Sequence, residues 1–209
     1  MAWKNDQVSE SETEKIITLA REQVSCEGDF VELGCYKGDT SLLLAEVLND
    51  LQSVACGKPV ENFVKKRLWI YDSFEGLPEK NKVDESSLGE DFKKGELEVT
   101  KREVKERFLR AGLPVPIIKK AWFNELVSED LPKKIALAFL DGDFYESIEV
   151  SLRLIEDKIA KNGVIIVHDY RNAALPGVAK AVDKWIRGRG FKKEHYQSMV
   201  VLYNNEKDG

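Results

Sequence analysis

This chain has little cysteine, no long apolar run and no stripe of basic residues, and each absence excludes a class of protein. The three cysteines, Cys26, Cys35 and Cys56, are odd in number and lack C-x-x-C spacing. They suit a reducing compartment rather than a disulfide framework. No apolar stretch approaches the roughly 20 residues that span a bilayer. The start, Met1-Ala2-Trp3-Lys4-Asn5-Asp6, leads straight into a polar segment without a signal-peptide pattern. The expectation is a cytoplasmic protein with no membrane partner. A formal net charge of -5, with no Lys/Arg stripe to offset it, argues against a nucleic-acid partner.

What is present fits one α/β domain over residues 1–209. With 43% hydrophobic and 33% charged residues the chain can bury a sizeable core beneath a well-solvated surface. Four short apolar runs each end on an acid where a helical pattern can follow. They are Phe30-Val31-Glu32-Leu33-Gly34, Leu68-Trp69-Ile70-Tyr71-Asp72, Ile135 to Leu140 before Asp141-Gly142-Asp143, and Val164 to Val167 before His168-Asp169. Continuous apolar runs of this length read as strands buried on both faces, the mark of a parallel sheet covered by helices. Ligands bind outside the carboxyl ends of such strands, so the acids are expected along one rim.

The rest of the chain fills in the pattern. Ser11-Glu12-Thr13-Glu14 reads as a capping box opening a helix with Ile16, Ile17, Ala20 and Val24 on one face. A helix from Asp39 to Leu51 and another capped by Thr100-Lys101-Arg102-Glu103 follow, the latter ended by Gly112 and Pro114. Ile117-Ile118 is a short strand. Ile148, Leu152, Ile155 and Ile159 form a helical stripe stopped by Asn162-Gly163. Val178, Val182, Trp185 and Ile186 form the last one. Phe191 to Gln197 and Met199 to Tyr203 are strands with almost no connection, as in an antiparallel hairpin. The sum is a seven-stranded, mostly parallel sheet with helices between the strands and a terminal hairpin. Residues 73–98, turn-rich and charged, are either a solvated loop or a lid over the rim.

Glu32 to Gly38 has the spacing E-x-G-x-x-x-G between strand and helix. Gly34 and Gly38 let the backbone turn sharply and approach a ligand without a Cβ in the way. Tyr36 stands where a dinucleotide fingerprint needs its second glycine, which argues against a nicotinamide dehydrogenase. Asp72, at the end of the next strand, can accept both hydroxyls of a ribose, or can simply terminate the strand in a turn.

The strings Val31-Glu32-Leu33-Gly34, Leu68 to Pro78 (LWIYDSFEGLP), Leu140 to Ser147 (LDGDFYES) and His168-Asp169-Tyr170 closely resemble the macrocin O-methyltransferase (TylF-like) family. These are class I S-adenosylmethionine (SAM)-dependent enzymes with a Rossmann-like fold that methylate sugar hydroxyls of natural products. The resemblance covers roughly residues 28–205. It implies that Gly34, Tyr36 and Thr40 hold the methionine part of SAM and that Asp72 takes the ribose, with Ser73 and Phe74 beside the adenosine. Trp122 and Phe123 fall where the family flanks adenine, although both also suit core packing. Asp141, His168 and Asp169 match a divalent-metal site, with Asp141 also at the cofactor, and Asp143 matches the general base.

Carboxylates crowded on one rim repel unless a cation neutralises them, and oxygen ligands suit Mg²⁺. His168 departs from the family's usual acid. Imidazole favours Mn²⁺ and other transition ions over Mg²⁺, unless His168 leaves the metal and bonds Asp141 or a water instead. The other histidine, His195, lies on a terminal strand and reads as structural or exposed. The expected partner is a small-molecule hydroxyl acceptor, and the family allows a homo-oligomer. The alternative is a SAM-binding protein that has lost catalysis and serves an interaction role.

Overall fold

A computed structural model describes residues 7–55, 65–88 and 92–204. The elements run β1 (Asp29–Leu33), β2 (Leu68–Asp72), β3 (Ile117–Lys120), β4 (Ile135–Leu140), β5 (Ile159–Val167), β6 (Lys192–Tyr196) and β7 (Met199–Tyr203). Around them lie α1 (Glu10–Glu22), α2 (Asp39–Ala55), α3 (Lys101–Ala111), α4 (Tyr145–Ile155) and α5 (Pro176–Trp185). The strands form one seven-stranded sheet in the order β3-β2-β1-β4-β5-β7-β6. β1 to β5 are parallel, and β7 runs antiparallel to both β5 and β6. The expected architecture is present.

The apolar runs form strands because both of their faces are covered. All six residues of β4 are buried. Phe30, Leu137 and Phe139 join a core with Ile16 and Leu19 of α1, Leu42 and Leu44 of α2, and Phe108 of α3. Val31, Leu33, Ala138 and Leu140 point the other way, against Ile148 and Leu152 of α4 and Val178 and Val182 of α5. Burying each large aliphatic or Phe side chain contributes about 1.5–3 kcal/mol. The period-two alternation along fully buried strands therefore builds two cores, one on each face of the sheet.

Two boundaries differ from expectation. The sequence has overlapping S-x-x-E boxes, and α1 uses the earlier one: Ser9 is the N-cap and Glu12 completes the box. Glu12 is drawn inward because its other oxygen accepts the Ser198 backbone N–H at 2.9 Å and the Ser198 hydroxyl at 2.5 Å, in the β6–β7 turn. The stripe ending at Ile159 is also shorter than expected. α4 stops at Ile155, a single 3-10 turn covers Glu156–Lys158, and Ile159 already belongs to β5. Asn162-Gly163 thus sits inside a strand. A register shift between Ile135 and Leu137 absorbs the irregularity, with Asn162 at φ 63°. The box at Thr100–Glu103 and the left-handed Gly112 cap of α3 are as expected.

The described parts of residues 73–98 are anchored at Leu77 and at Gly95–Glu96. Leu77 N–H donates to the Glu96 carbonyl at 2.8 Å and Gly95 N–H to the Leu77 carbonyl at 2.9 Å. Phe74 and Leu77 are buried. Cys56 lies outside the described residues, while Cys26 and Cys35 are free thiols. No helix among the described residues is long and apolar enough to cross a membrane.

Hydrogen bonds from Ser198 and Ser9 outweigh burial and hold the Glu12 carboxylate below its ordinary pKa. Its stabilisation is therefore complete above the unfolded value of about 4.3 and is lost as pH falls through the lower folded value. Glu12→Ala will cost about 2 kcal/mol in urea unfolding at neutral pH, with a smaller difference in acid. An equal loss at both pH values would show that the carboxylate charge is irrelevant.

Candidate active site

Strand register sets the site. Leu33 of β1 pairs with Tyr71 of β2 and with Leu140 of β4, and Leu140 pairs with Val167 of β5. The next residue of each strand end continues the ladder. Gly34 N–H donates to the Tyr71 carbonyl at 2.9 Å, Asp141 N–H to Leu33 at 2.9 Å, and His168 N–H to Leu140 at 3.0 Å. Gly34, Asp72, Asp141 and His168 consequently stand side by side on one rim.

Above that rim opens a cavity of about 620 Å³. Of the residues singled out from sequence, Gly34, Tyr36, Asp72, Ser73, Trp122, Phe123, Asp141, Asp143, His168 and Asp169 line it. Glu32, Gly38, Thr40 and Phe74 do not; they lie behind the wall. Glu32 is 1% exposed and accepts the Ser41 hydroxyl of α2. Gly38, at φ 82°, turns the chain into α2. Thr40 is buried in the first turn of that helix, and Phe74 joins the core. Leu77, Lys94 and Leu97, from the segment read as a loop or lid, also line it, while Asn124, Glu125, Ser147 and Val150 were not singled out from sequence.

Close approach explains Gly34. A Cβ there would stand 2.0 Å from the Asp141 carbonyl oxygen, so no other residue fits. Four non-glycine residues at the rim also have positive φ: Tyr36 (44°), Phe74 (52°), Asp143 (58°) and Asp169 (56°). Such conformations cost about 1–3 kcal/mol each and cluster at functional sites.

Asp72 fastens the first turn of the rim. Its Oδ2 accepts the Cys35 and Tyr36 N–H groups at 2.9 and 3.3 Å, and its Oδ1 accepts the Phe74 N–H at 2.8 Å. A carboxylate offers about four lone-pair directions. Three are used, which leaves Asp72 one acceptor direction open.

Asp141, His168 and Asp169 offer donor atoms within 4.8 Å of one another. His168 Nδ1 is 3.1 Å from both Asp141 Oδ1 and Asp169 Oδ2. Adjacent ligands of an octahedral ion, each at about 2.1 Å, are separated by about 3 Å, the spacing of His168 from each carboxylate. Asn172 Nδ2 donates to Asp169 Oδ1 at 2.9 Å, the sort of outer bond that orients a ligand. Burial alone would lower the His168 pKa, but the two carboxylates reverse this and push it up to about 11. His168 therefore serves as the local cation as the site stands. Burial, followed by the charges of Asp141 and Asp169, raises the Asp143 carboxyl well above its ordinary range.

The fold is shared with solved O-methyltransferases. The O-methyltransferase NovP superposes with a TM-score of 0.77 at 22% identity, over 97% of this chain and 84% of its own. The calicheamicin methyltransferase CalS11 does so at 0.69 and 19% identity, over 92% and 78%. These likenesses define the class I methyltransferase fold. The macrocin O-methyltransferase (TylF) family matches residues 10–199, and the chain belongs to that family.

Among curated relatives, a tetracenomycin rhamnosyl 4'-O-methyltransferase of Streptomyces olivaceus is 29% identical over 78% of this chain. The demethyldecarbamoylnovobiocin O-methyltransferase of Streptomyces niveus is 26% identical over 76%. The matched stretch spans 59% and 58% of those two proteins.

Burial, with the Asp141, Asp72 and Asp39 charges adding to it against the Ser41 hydrogen bond, raises the Glu32 pKa to about 8. An unfolded glutamate titrates near 4.3. Between those values the fold keeps a proton that the unfolded chain has released, so stability falls as pH rises. Glu32→Gln will flatten this decline in urea unfolding with chelator between about pH 5 and pH 8. An unchanged slope would mean that Glu32 is ionised in the fold.

Proposed function

We propose that this protein is a SAM-dependent O-methyltransferase that methylates a sugar hydroxyl of a natural product and uses a divalent cation held by Asp141, His168 and Asp169. The observation that carries the reading is one cavity bounded by Gly34, Asp72, Asp141, Asp143, His168 and Asp169, in a chain matched by the family from residue 10 to 199. Relatives named for O-methylation of a rhamnosyl group and of a novobiocin precursor support the acceptor class. A neighbour of the same fold that was solved with S-adenosylhomocysteine supports the cofactor. Free thiols at Cys26 and Cys35 suit the cytosol as its compartment.

In this reading the Gly34–Tyr36 backbone cradles the methionine end of the cofactor, Asp72 fixes the ribose, and Trp122 and Phe123 cover the adenine. SAM supplies a methyl group activated on sulfonium. A divalent cation supplies positive charge that acidifies a neighbouring hydroxyl. Asp143 would take the hydroxyl proton as the oxygen attacks the methyl carbon and the carbon–sulfur bond breaks, leaving S-adenosylhomocysteine. The same cation would lower the raised Asp143 pKa and free it to act as a base. Methyl transfer needs oxygen, carbon and sulfur nearly in line, so holding both reactants supplies much of the rate.

Calorimetric titration should detect S-adenosylhomocysteine binding; its absence would remove the reading. Asp143→Asn should bind S-adenosylhomocysteine as the native protein does and lose about 10²–10⁴ in turnover on a glycoside panel. Binding without turnover in the native protein would favour the interaction role. Because one ligand is imidazole, Mn²⁺ should support faster turnover than Mg²⁺. Equal or better turnover with Mg²⁺ would indicate that His168 is not a ligand.

A further inference from the structure

Asp84 is a buried acid with no part in the chemistry above. It sits at the end of a 3-10 turn, Lys82–Asp84, in the loop that follows β2, and is 0% exposed. Its Oδ1 accepts the backbone N–H of Tyr145, the first residue of α4, at 2.7 Å. Its Oδ2 is buried without a hydrogen-bond partner. The second residue of α5, Gly177, closes over it: a Cβ there would lie 1.7 Å from Asp84 Oδ1. One carboxylate thus meets the first turns of two helices: it accepts a hydrogen bond from α4 and packs against Gly177 of α5.

Neighbouring bonds repeat the pattern. Lys180 Nζ of α5 donates to the Val83 carbonyl at 2.6 Å, and Ser86 Oγ donates to the Ala173 carbonyl at 2.9 Å. Asn81 Nδ2 donates to Glu146 Oε2 of α4 at 3.3 Å. The two helices so joined are the ones that follow the rim loops. Tyr145 is two residues beyond Asp143, and Ala173 lies between Asp169 and α5. On either side of the turn, the same loop forms one wall of the cavity through Leu77 and Leu97.

We infer that Asp84 is a positioning residue: its carboxylate pins the Lys82–Asp84 turn, next to the cavity wall at Leu77 to Asn81, onto the N-termini of α4 and α5. The two loops that carry Asp141–Asp143 and His168–Asp169 are thereby held at one spacing. An otherwise unexplained pair, a buried acid and a glycine early in a helix, becomes one fitted joint. Alanine is intrinsically better than glycine in a helix, so a loss on Gly177→Ala reports the joint and not the helix.

Two readouts test this, and only cofactor affinity rests on the proposed function; amide hydrogen exchange does not. In Asp84→Ala, exchange at residues 81–86 and 143–146 should rise at least about tenfold. S-adenosylhomocysteine should bind about tenfold more weakly, with far-UV circular dichroism unchanged. Asp84→Asn keeps the Oδ1 acceptor and should stay near the native protein in both. Gly177→Ala should displace the carboxylate and reproduce Asp84→Ala.

Removing both groups, in Asp84→Ala with Gly177→Ala, relieves the clash. It should recover thermal stability without recovering affinity or exchange protection. Native exchange and affinity in Asp84→Ala would overturn the inference, as would full recovery of affinity in the double variant, which would mark a space-filling role. If Asp84→Ala fails to fold, the contrast between Asp84→Asn and Gly177→Ala decides. A native protein that binds no S-adenosylhomocysteine would count against the proposed function and leave exchange to decide this point.

Discussion

The site depends on the in-register ending of three parallel strands. Leu33, Leu140 and Val167 pair across β1, β4 and β5, so each chain leaves the sheet at the same height. Parallel pairing needs crossover connections, which keep the carboxyl ends of β1 to β5 on one edge. The rim acids meet because of main-chain hydrogen bonds and not through attraction between themselves. Their mutual repulsion is a cost that the two cores carry.

That cost is visible throughout the site. Glu32 is pushed toward its protonated form, Asp143 is raised, and His168 is held as a cation between two carboxylates. Four non-glycine residues with positive φ sit on the same edge. Buried like charges and strained backbone both lower stability, and in the proposed function a cation and a positively charged cofactor would offset the repulsion. The Asp84 joint proposed above would hold the turn after β2 against the starts of α4 and α5.

Much of this was legible in the sequence. Continuous apolar runs ending on acids gave strands and rim together, because strands covered on both faces leave no polar period to confuse with a helix. The Thr100–Glu103 box and Gly112 marked both ends of α3 through local chemistry alone. What escaped depended on distant partners. Two overlapping boxes could open α1, and Ser198, nearly 190 residues away, favoured the earlier. Ile159 kept helical spacing yet entered β5, where pairing with β4 overrode the local pattern. Asp84 looks like an ordinary turn residue; only docking against α4 and α5, about 60 or more residues on, gives it partners. Glu32 and Thr40, read from sequence as cofactor residues, are buried and do not line the cavity, because a motif gives spacing and not depth.

Diffraction at the manganese absorption edge, from crystals grown with S-adenosylhomocysteine and Mn²⁺, tests the central claim most directly. One anomalous peak bounded by Asp141, His168 and Asp169, with the cofactor lying over Gly34 in the same cavity, is the predicted result. Manganese bound elsewhere, or a cofactor seated away from that rim, would contradict it.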